Sequence, residues 1–173
     1  MADLVILTAE ELKARSPLER QAHRRAARKR PLVRQILPMF LERGAPIPIE
    51  DIVAASTGGA TRVVRDALAA LDDDDVIRIR EDLIDVAYPF CAAPTPFRVR
   101  LSEGRERYAC CATDALGMAP MLGEPIAIVS QCHHCGAPIG FSVTPQGPRR
   151  DADGVMVWFG KRGDDRCKAI EGL

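Results

Sequence analysis

Two adjacent cysteines and an aspartate stand close together in YACCATDALGMAPMLG, residues 108–123. Thiolates are nucleophiles and bind soft metal ions, and a carboxyl group beside a thiol can hold or deliver a proton. If residues 109–118 form a helix, Cys111 and Asp114 share one face and Cys110 points about 100° away. A helix N-terminus also stabilises a thiolate. The pattern predicts a reactive thiol at Cys111 with Asp114 as its proton partner; the alternative is a pair of inert buried cysteines.

A second group of thiols lies in CHHC, where Cys132 and Cys135 have the Cys-x-x-Cys spacing of half a structural zinc site. A full site needs two more ligands, and the sequence has no second Cys-x-x-Cys motif. Cys110 and Cys111 are poorly suited to supply these ligands, because the side chains of adjacent helical residues point in different directions. Cys91 or Cys167 is another source of ligands. Thiolates select soft ions, which favours zinc, copper(I) or mercury(II). The alternative is that CHHC is an ordinary turn.

The elements that precede these thiols are mostly helical. Thr8 and Glu11 form a capping-box pattern at the start of a predicted helix. PLVRQILPMFLERG predicts an amphipathic helix that ends at Gly44, IPIEDIVAAS predicts an extended segment that becomes a helix near Pro48, and TRVVRDALAAL predicts another helix. Helix, turn and helix followed by the strand-like VIRIREDLIDVAYPF are typical of a winged helix-turn-helix.

Strand patterns dominate the second half. FRVRL alternates apolar and charged residues, PIAIVSQC and PIGFSVTP flank the CHHC turn, and GVMVWFGKR predicts a further strand. Together the two halves predict an α+β fold, with an N-terminal winged helix-turn-helix-like helical module followed by a small mixed or antiparallel sheet domain with short helices. The predicted domains are a basic helical extension at 1–30, the helix-turn-helix-like module at 31–85 and a thiol-bearing core at 86–173.

Charge and hydropathy narrow the classes of function. The chain of 173 residues has 24 Lys and Arg against 24 Asp and Glu, which disfavours a general nucleic-acid binder, although residues 20–30 are strongly basic. The candidate recognition helix offers only Arg62 and Arg65 and ends in four aspartates, so DNA is not a favoured partner. No apolar run approaches the roughly 20 residues of a membrane span, and the N-terminus lacks a secretory pattern. A cytoplasmic protein with reduced, reactive or metal-bound cysteines is predicted.

The order of residues 108–145 resembles the core of the organomercurial (alkylmercury) lyases. The shared pattern is a tyrosine, a cysteine and an aspartate, then an apolar segment, a strand that leads into S-x-C and G-A-P, and a second strand that ends V-T-P. The positions that carry it are Tyr108, Cys111, Asp114, Pro120, Leu122, Gly123, Ser130, Cys132, Gly136, Ala137 and Pro138. The resemblance extends over roughly residues 31–160 and is looser in the helical half.

This resemblance implies cleavage of a carbon–mercury bond by protonolysis, with no added cofactor. Cys111 would capture the mercury as a thiolate, and Asp114 would carry the proton to the departing carbon. The family has a second catalytic cysteine in a later apolar segment, whereas the only cysteine after Cys135 is Cys167, in the polar stretch DDRCKAIEGL. Three alternatives stay open: Cys167 fills the role, Cys135 fills it, or the cleavage function is absent.

The catalytic candidates are therefore Cys111, Asp114 and Cys167, and the metal-binding candidates are Cys110, Cys111, Cys132 and Cys135. Expected partners are an organomercurial or thiophilic metal ion and a thiol reductant, with self-association left open. Two other functions are alternatives to the lyase. One is a non-catalytic protein that binds zinc, copper(I) or mercury(II) through thiolates, and the other is a metal-responsive DNA-binding regulator that uses the basic residues 20–30.

Overall fold

The computed structural model describes residues 5–8, 10–11, 26–27, 30–56 and 60–158. The helices are α1 (Pro31–Arg43), α2 (Ile49–Ala55), α3 (Thr61–Asp73) and α4 (Ala112–Leu122). The strands are β1 (Ile47–Pro48), β2 (Ile77–Arg80), β3 (Leu83–Ala87), β4 (Phe90–Cys91), β5 (Arg98–Arg100), β6 (Glu106–Ala109), β7 (Ile126–Gln131), β8 (Pro138–Thr144) and β9 (Gly147–Pro148). The fold is α+β, as predicted. None of the helices in these ranges is long and apolar enough to span a bilayer.

Two of the predicted helix signals in the helical half are confirmed. The Glu11 carboxylate accepts the Thr8 N–H at 2.7 Å and the Glu11 N–H donates to the Thr8 hydroxyl at 3.2 Å, which is the predicted capping box. α1 ends at Gly44, whose φ of 60° lies in the left-handed region and whose N–H bonds the Phe40 carbonyl at 2.9 Å. The rest of the predicted extension at 1–30 lies mostly outside the described residues.

The cations of α3 lie beside carboxylates of the protein itself. Arg65 forms ion pairs with Glu50 and Asp82, and its side chain is 40% exposed. Arg62 lies 3.8 Å from Asp66, one helical turn further on. Both cations of the candidate recognition helix therefore have a nearby negative charge.

Within the described residues, one nine-stranded sheet joins the two halves of the chain. Its order is β1-β3-β4-β6-β5-β7-β8-β9, β2 also pairs with β3, and each pairing is antiparallel. β3 is the junction because it pairs with β1, β2 and β4. The predicted division between residues 85 and 86 falls inside β3, and the assignment of separate domains stays a prediction.

The main core lies between the helices and one face of this sheet. Phe40 on α1 stacks on Phe90 in β4, with ring centroids 6.1 Å apart and planes 14° from parallel. A smaller buried cluster lies on the other face, because successive strand residues point to opposite sides. Its members are Val86, Tyr88, Cys91 and Cys110, with Tyr108 packed against them.

The strand predicted for GVMVWFGKR is wrong for residues 154–158, which lie in neither a helix nor a strand. The edge of β8 that could receive such a strand already has other partners. Asp151 accepts the Ser142 N–H at 2.9 Å, and the Arg149 N–H bonds the Ser142 carbonyl at 3.0 Å. The remainder of the stretch lies outside the described residues.

Replacing Phe90 by alanine is expected to lower the free energy of unfolding by about 3–5 kcal/mol, because it deletes a fully buried ring and its stacking on Phe40. Urea denaturation followed by circular dichroism measures the change. Val63→Ala is the control, since that valine is 62% exposed, and it should stay within about 0.5 kcal/mol of the parent. A loss below about 1 kcal/mol for Phe90→Ala would contradict the placement of this ring in the core.

Candidate functional site

Cys111 is the residue at which α4 begins. It is the N-cap, with extended backbone angles of φ −154° and ψ 177°, and its sulfur accepts the Asp114 N–H at 3.4 Å. The helix therefore covers Ala112–Leu122, and its predicted start at residue 109 is wrong. The reason is that β6 continues to Ala109, which pairs with Phe90 across the sheet.

The Cys111 thiol lies against the Asp114 carboxylate. The Cys111 Sγ donates to Asp114 Oδ2 at 3.0 Å, and the Thr113 hydroxyl lies 2.9 Å from the same sulfur. The side chains of Cys111 and Asp114 are close together, as predicted. They meet because Cys111 caps the helix, not because both lie on one face of it. A thiol and a carboxylate in direct hydrogen-bond contact can pass a proton from sulfur to oxygen.

Burial and the neighbouring carboxylate raise the pKa of the Cys111 thiol. Loss of hydration is the largest cause, and the negative charge of Asp114 and its hydrogen bond to the thiol act in the same direction. The Thr113 hydroxyl and the Asp114 N–H lower the pKa because they donate to the thiolate, but they are outweighed. Burial and Asp114 therefore destabilise the thiolate more than the donors at the helix N-terminus stabilise it. As a result, Cys111 is protonated at neutral pH.

Cys110 points away from this pair. Its side chain is 2% exposed, its sulfur donates to the Phe90 carbonyl at 3.3 Å, and its N–H bonds the Pro89 carbonyl at 3.0 Å. The two adjacent thiols separate because Cys110 still follows the alternation of β6, whereas Cys111 turns into the helix. Cys110 therefore lies in the smaller cluster on the far face of the sheet.

Cys91 is a neighbour of Cys110 that the spacing of residues did not reveal. The two residues lie in the same small buried cluster. Interaction with the Cys110 thiol is the largest cause lowering the pKa of Cys91 to about 7, and interaction with Cys91 is the largest cause raising the pKa of Cys110. The Ala93 N–H and the positive charge of Arg78 add to the lowering at Cys91, and burial opposes it. Only strand register brings the two thiols together, because Cys91 pairs with Tyr108, two residues before Cys110.

Cys132 and Cys135 belong to the turn between β7 and β8. The turn is closed by the Cys132 N–H on the Ala137 carbonyl and the Gly136 N–H on the Cys132 carbonyl, both at 2.8 Å. The N–H groups of Cys135 and His134 and the Cys135 thiol lower the pKa of Cys132. Cys135 is exposed, so this turn presents a thiolate-prone sulfur beside a second accessible one.

Cys111 and Cys132 follow strands that finish at the same end of the sheet. Tyr108 pairs with Arg98, and Arg98 pairs with Val129, so β6 and β7 run parallel on either side of β5. Cys111 comes two residues after the end of β6, and Cys132 comes one residue after the end of β7. Two strand spacings, about 10 Å, separate β6 from β7.

The family model that matches this chain includes all of these cysteines. The family model described as MerB, alkylmercury lyase, matches residues 90–172. The chain is 35% identical over 114 residues to the alkylmercury lyase of Staphylococcus epidermidis and 33% identical over 123 residues to that of Streptomyces lividans. Residues 90–172 thus match the alkylmercury lyase family. The alkylmercury lyase segment contains all six cysteines of the chain.

These matches cover only part of each relative. They cover 66% and 69% of this chain but 50% and 54% of the two relatives, so the chain spans about half the length of the curated relatives it matches. The fold is similar to a crystal structure of the mercury-bound form of MerB2, with a TM-score of 0.60, 23% identity, and coverage of 77% of this chain and 66% of that one. That likeness concerns the α+β fold.

The described cysteines of the alkylmercury lyase segment lie in three separate environments. Cys111 contacts Asp114, Cys110 lies in one buried cluster with Cys91, and Cys132 and Cys135 belong to the same turn. In the described part of the chain, no group of three or more His, Cys, Asp or Glu side chains is arranged to hold a metal ion. Cys167 lies outside the described residues, so its role as the second catalytic thiol stays a prediction.

Two open surface pockets lie away from Cys111 and Asp114. They have volumes of about 500 and 300 Å³, and both are lined by Ser142 and Arg149 on or next to β8. Neither is lined by Cys111 or Asp114. The candidate site is instead the half-buried edge of the sheet at the start of α4.

Asp114→Asn is expected to lower the pH at which Cys111 reacts, because it removes a negative charge that raises the pKa of the thiol. The rate of alkylation by iodoacetamide, followed at Cys111 by peptide mass spectrometry from pH 6 to pH 11, gives the midpoint. Thr113→Val is the matched control of opposite sign, because the lost hydroxyl stabilises the thiolate and the midpoint should rise. Equal midpoints in all three proteins would contradict this account of the site.

Proposed function

We propose that this chain is an organomercurial lyase that cleaves carbon–mercury bonds by protonolysis at Cys111 and Asp114. The observation that carries the proposal is the 3.0 Å contact between Cys111 Sγ and Asp114 Oδ2, inside the segment that matches the alkylmercury lyase family. This contact puts a soft ligand for mercury and a proton carrier side by side.

In the first step the Cys111 sulfur bonds to the mercury of an organomercurial cation. The S–H bond breaks as the S–Hg bond forms, and the proton moves to the Asp114 carboxylate. The raised pKa of Cys111 fits this order, because the proton stays on sulfur until mercury bonds to it. Asp114 then holds the proton within reach of the organic group.

In the second step Asp114 donates this proton to the carbon atom bound to mercury. The electron pair of the C–Hg bond forms the new C–H bond, the hydrocarbon leaves, and Asp114 is again a carboxylate. Mercury(II) on one thiolate keeps one positive charge, which a second thiolate neutralises. Cys167 and Cys135 are the proposed sources of that thiolate, and Cys132 lies at the same end of the sheet as Cys111. A small external thiol would then remove the ion.

The helical half is proposed to be a winged helix-turn-helix-like unit with a structural role. α2, α3 and the β2–β3 hairpin follow one another in the order that such a unit requires. Arg62 and Arg65 lie beside carboxylates, which disfavours their use on DNA phosphates. The unit instead extends the sheet through β3 and covers Phe90 with α1.

A second function, binding of soft metal ions without cleavage, is supported by the Cys132–Cys135 turn. Its lowered thiol pKa and its exposed second cysteine suit a metal–thiolate site. Bound metal that is lost on Cys132→Ser, in a protein that releases no hydrocarbon, would favour this function over the lyase.

The lyase proposal is tested by incubating the reduced protein with phenylmercury(II) and an excess of a small thiol, then measuring benzene by gas chromatography. Cys111→Ser and Asp114→Asn are each expected to lower the rate at least about 100-fold, the typical contribution of a positioned proton donor. Serine is a good N-cap residue, so Cys111→Ser keeps the start of α4 and removes only the soft ligand.

Asp66→Asn is the matched control for the aspartate, since this exposed carboxylate lies on α3 beside Arg62; the rate should not change. Comparison of Cys167→Ser with Cys135→Ser identifies the second thiol by the larger loss. Absence of benzene from the folded parent protein would overturn the proposal.

A further inference from the structure

We propose that Cys91 and Cys110 form a second, buried thiol site that binds one mercury(II) ion in linear coordination between the two sulfurs. The two residues are 6% and 2% exposed and belong to one buried cluster. They lie on the face of the sheet away from the main core, in the cluster with Val86 and Tyr88. This inference goes beyond the lyase, because it requires no cleavage of a carbon–mercury bond.

Strand register favours an ion between the two sulfurs over a disulfide. Cys91 pairs with Tyr108, and Cys110 lies two residues further along the same side, so the two cysteines are diagonal neighbours. Diagonal neighbours lie about 7–8 Å apart between Cα atoms, whereas a disulfide usually needs about 4.4–6.8 Å. A linear S–metal–S bridge spans about 4.6 Å between sulfurs if each bond is about 2.3 Å long, as for zinc. It therefore fits without closing the backbone.

Charge and coordination number favour mercury(II) among the soft ions. A mercury(II) ion on two thiolates is neutral, while copper(I) on two thiolates carries a negative charge, which is costly in an apolar cluster. Zinc requires four ligands, and the described residues around the pair supply no third or fourth His, Cys, Asp or Glu in position. The two charged side chains that act on Cys91, Arg78 and Asp85, already neutralise each other through hydrogen bonds of 2.8 and 2.7 Å.

Binding is an exchange that leaves the oxidation state of mercury unchanged. Two S–H bonds break and two S–Hg bonds form, and both protons go to the buffer or to the small thiols that the protein displaces from mercury. The two S–Hg bonds of a small-thiol complex of mercury are replaced one after the other by bonds to Cys91 and Cys110. The pair would hold the ion out of contact with water.

The experiment isolates the pair by removing the other four thiols through Cys111→Ser, Cys132→Ser, Cys135→Ser and Cys167→Ser. This two-thiol protein receives mercury(II) chloride and is dialysed against excess 2-mercaptoethanol. Native mass spectrometry counts the retained ions, and thiolate-to-mercury absorption in the ultraviolet reports the bonds. One mercury per chain is expected, and a further Cys91→Ala or Cys110→Ala should weaken retention at least about 100-fold, since the second bond is intramolecular.

Val86→Ala in the two-thiol protein is the matched control, because it opens the same buried cluster but keeps both sulfurs; one mercury should be retained. Circular dichroism checks that each variant is folded. If the two-thiol protein does not fold, the full chain is compared with its Cys91→Ala and Val86→Ala variants, and only Cys91→Ala should lose one equivalent. No retained mercury in the folded two-thiol protein, equal retention by the one-thiol variants, or no loss in the full-chain Cys91→Ala variant would overturn the proposal.

Discussion

The hydrogen bond that begins α4 is the constraint on which the candidate site depends. The Cys111 sulfur holds the position that a serine or aspartate oxygen commonly occupies at an N-cap, and the amide that it accepts belongs to Asp114. The three-residue spacing that caps the helix is therefore also the spacing that puts the carboxylate against the thiol. Formation of the first turn of α4 brings Cys111 and Asp114 together, and packing against the sheet then buries them.

Beyond that turn, the sheet gives chemically identical thiols different properties. Cys111 is kept protonated by burial and by Asp114, Cys91 is shifted towards thiolate by Cys110, and Cys132 is shifted the same way by the amides of its turn. Alternation along β6 and the turn after β7 decide which environment each sulfur enters. A chain with few cysteines thus obtains a proton-bearing thiol and two thiolate-prone ones from position alone.

Local patterns in the sequence were sufficient to predict some of this and not the rest. The capping box at Thr8, the end of α1 at Gly44 and the nearness of Cys111 to Asp114 all depend on residues within a few positions of one another. The start of α4 was misplaced because the pairing of Ala109 with Phe90 extends β6. The shared cluster of Cys91 and Cys110 was missed for a related reason: register between strands is a long-range property that one sequence does not reveal.

The boundary of the family match does not coincide with a boundary in the structure. The matched segment starts at Phe90, in β4, but the strand that pairs with β4 on one side is β3, and the ring that stacks on Phe90 is Phe40. Residues 90–172 taken alone would expose a bare strand edge and an uncovered aromatic face, both of which promote aggregation. The segment that matches the family model is thus smaller than the sheet and core to which it belongs, because the helical half supplies both β3 and Phe40.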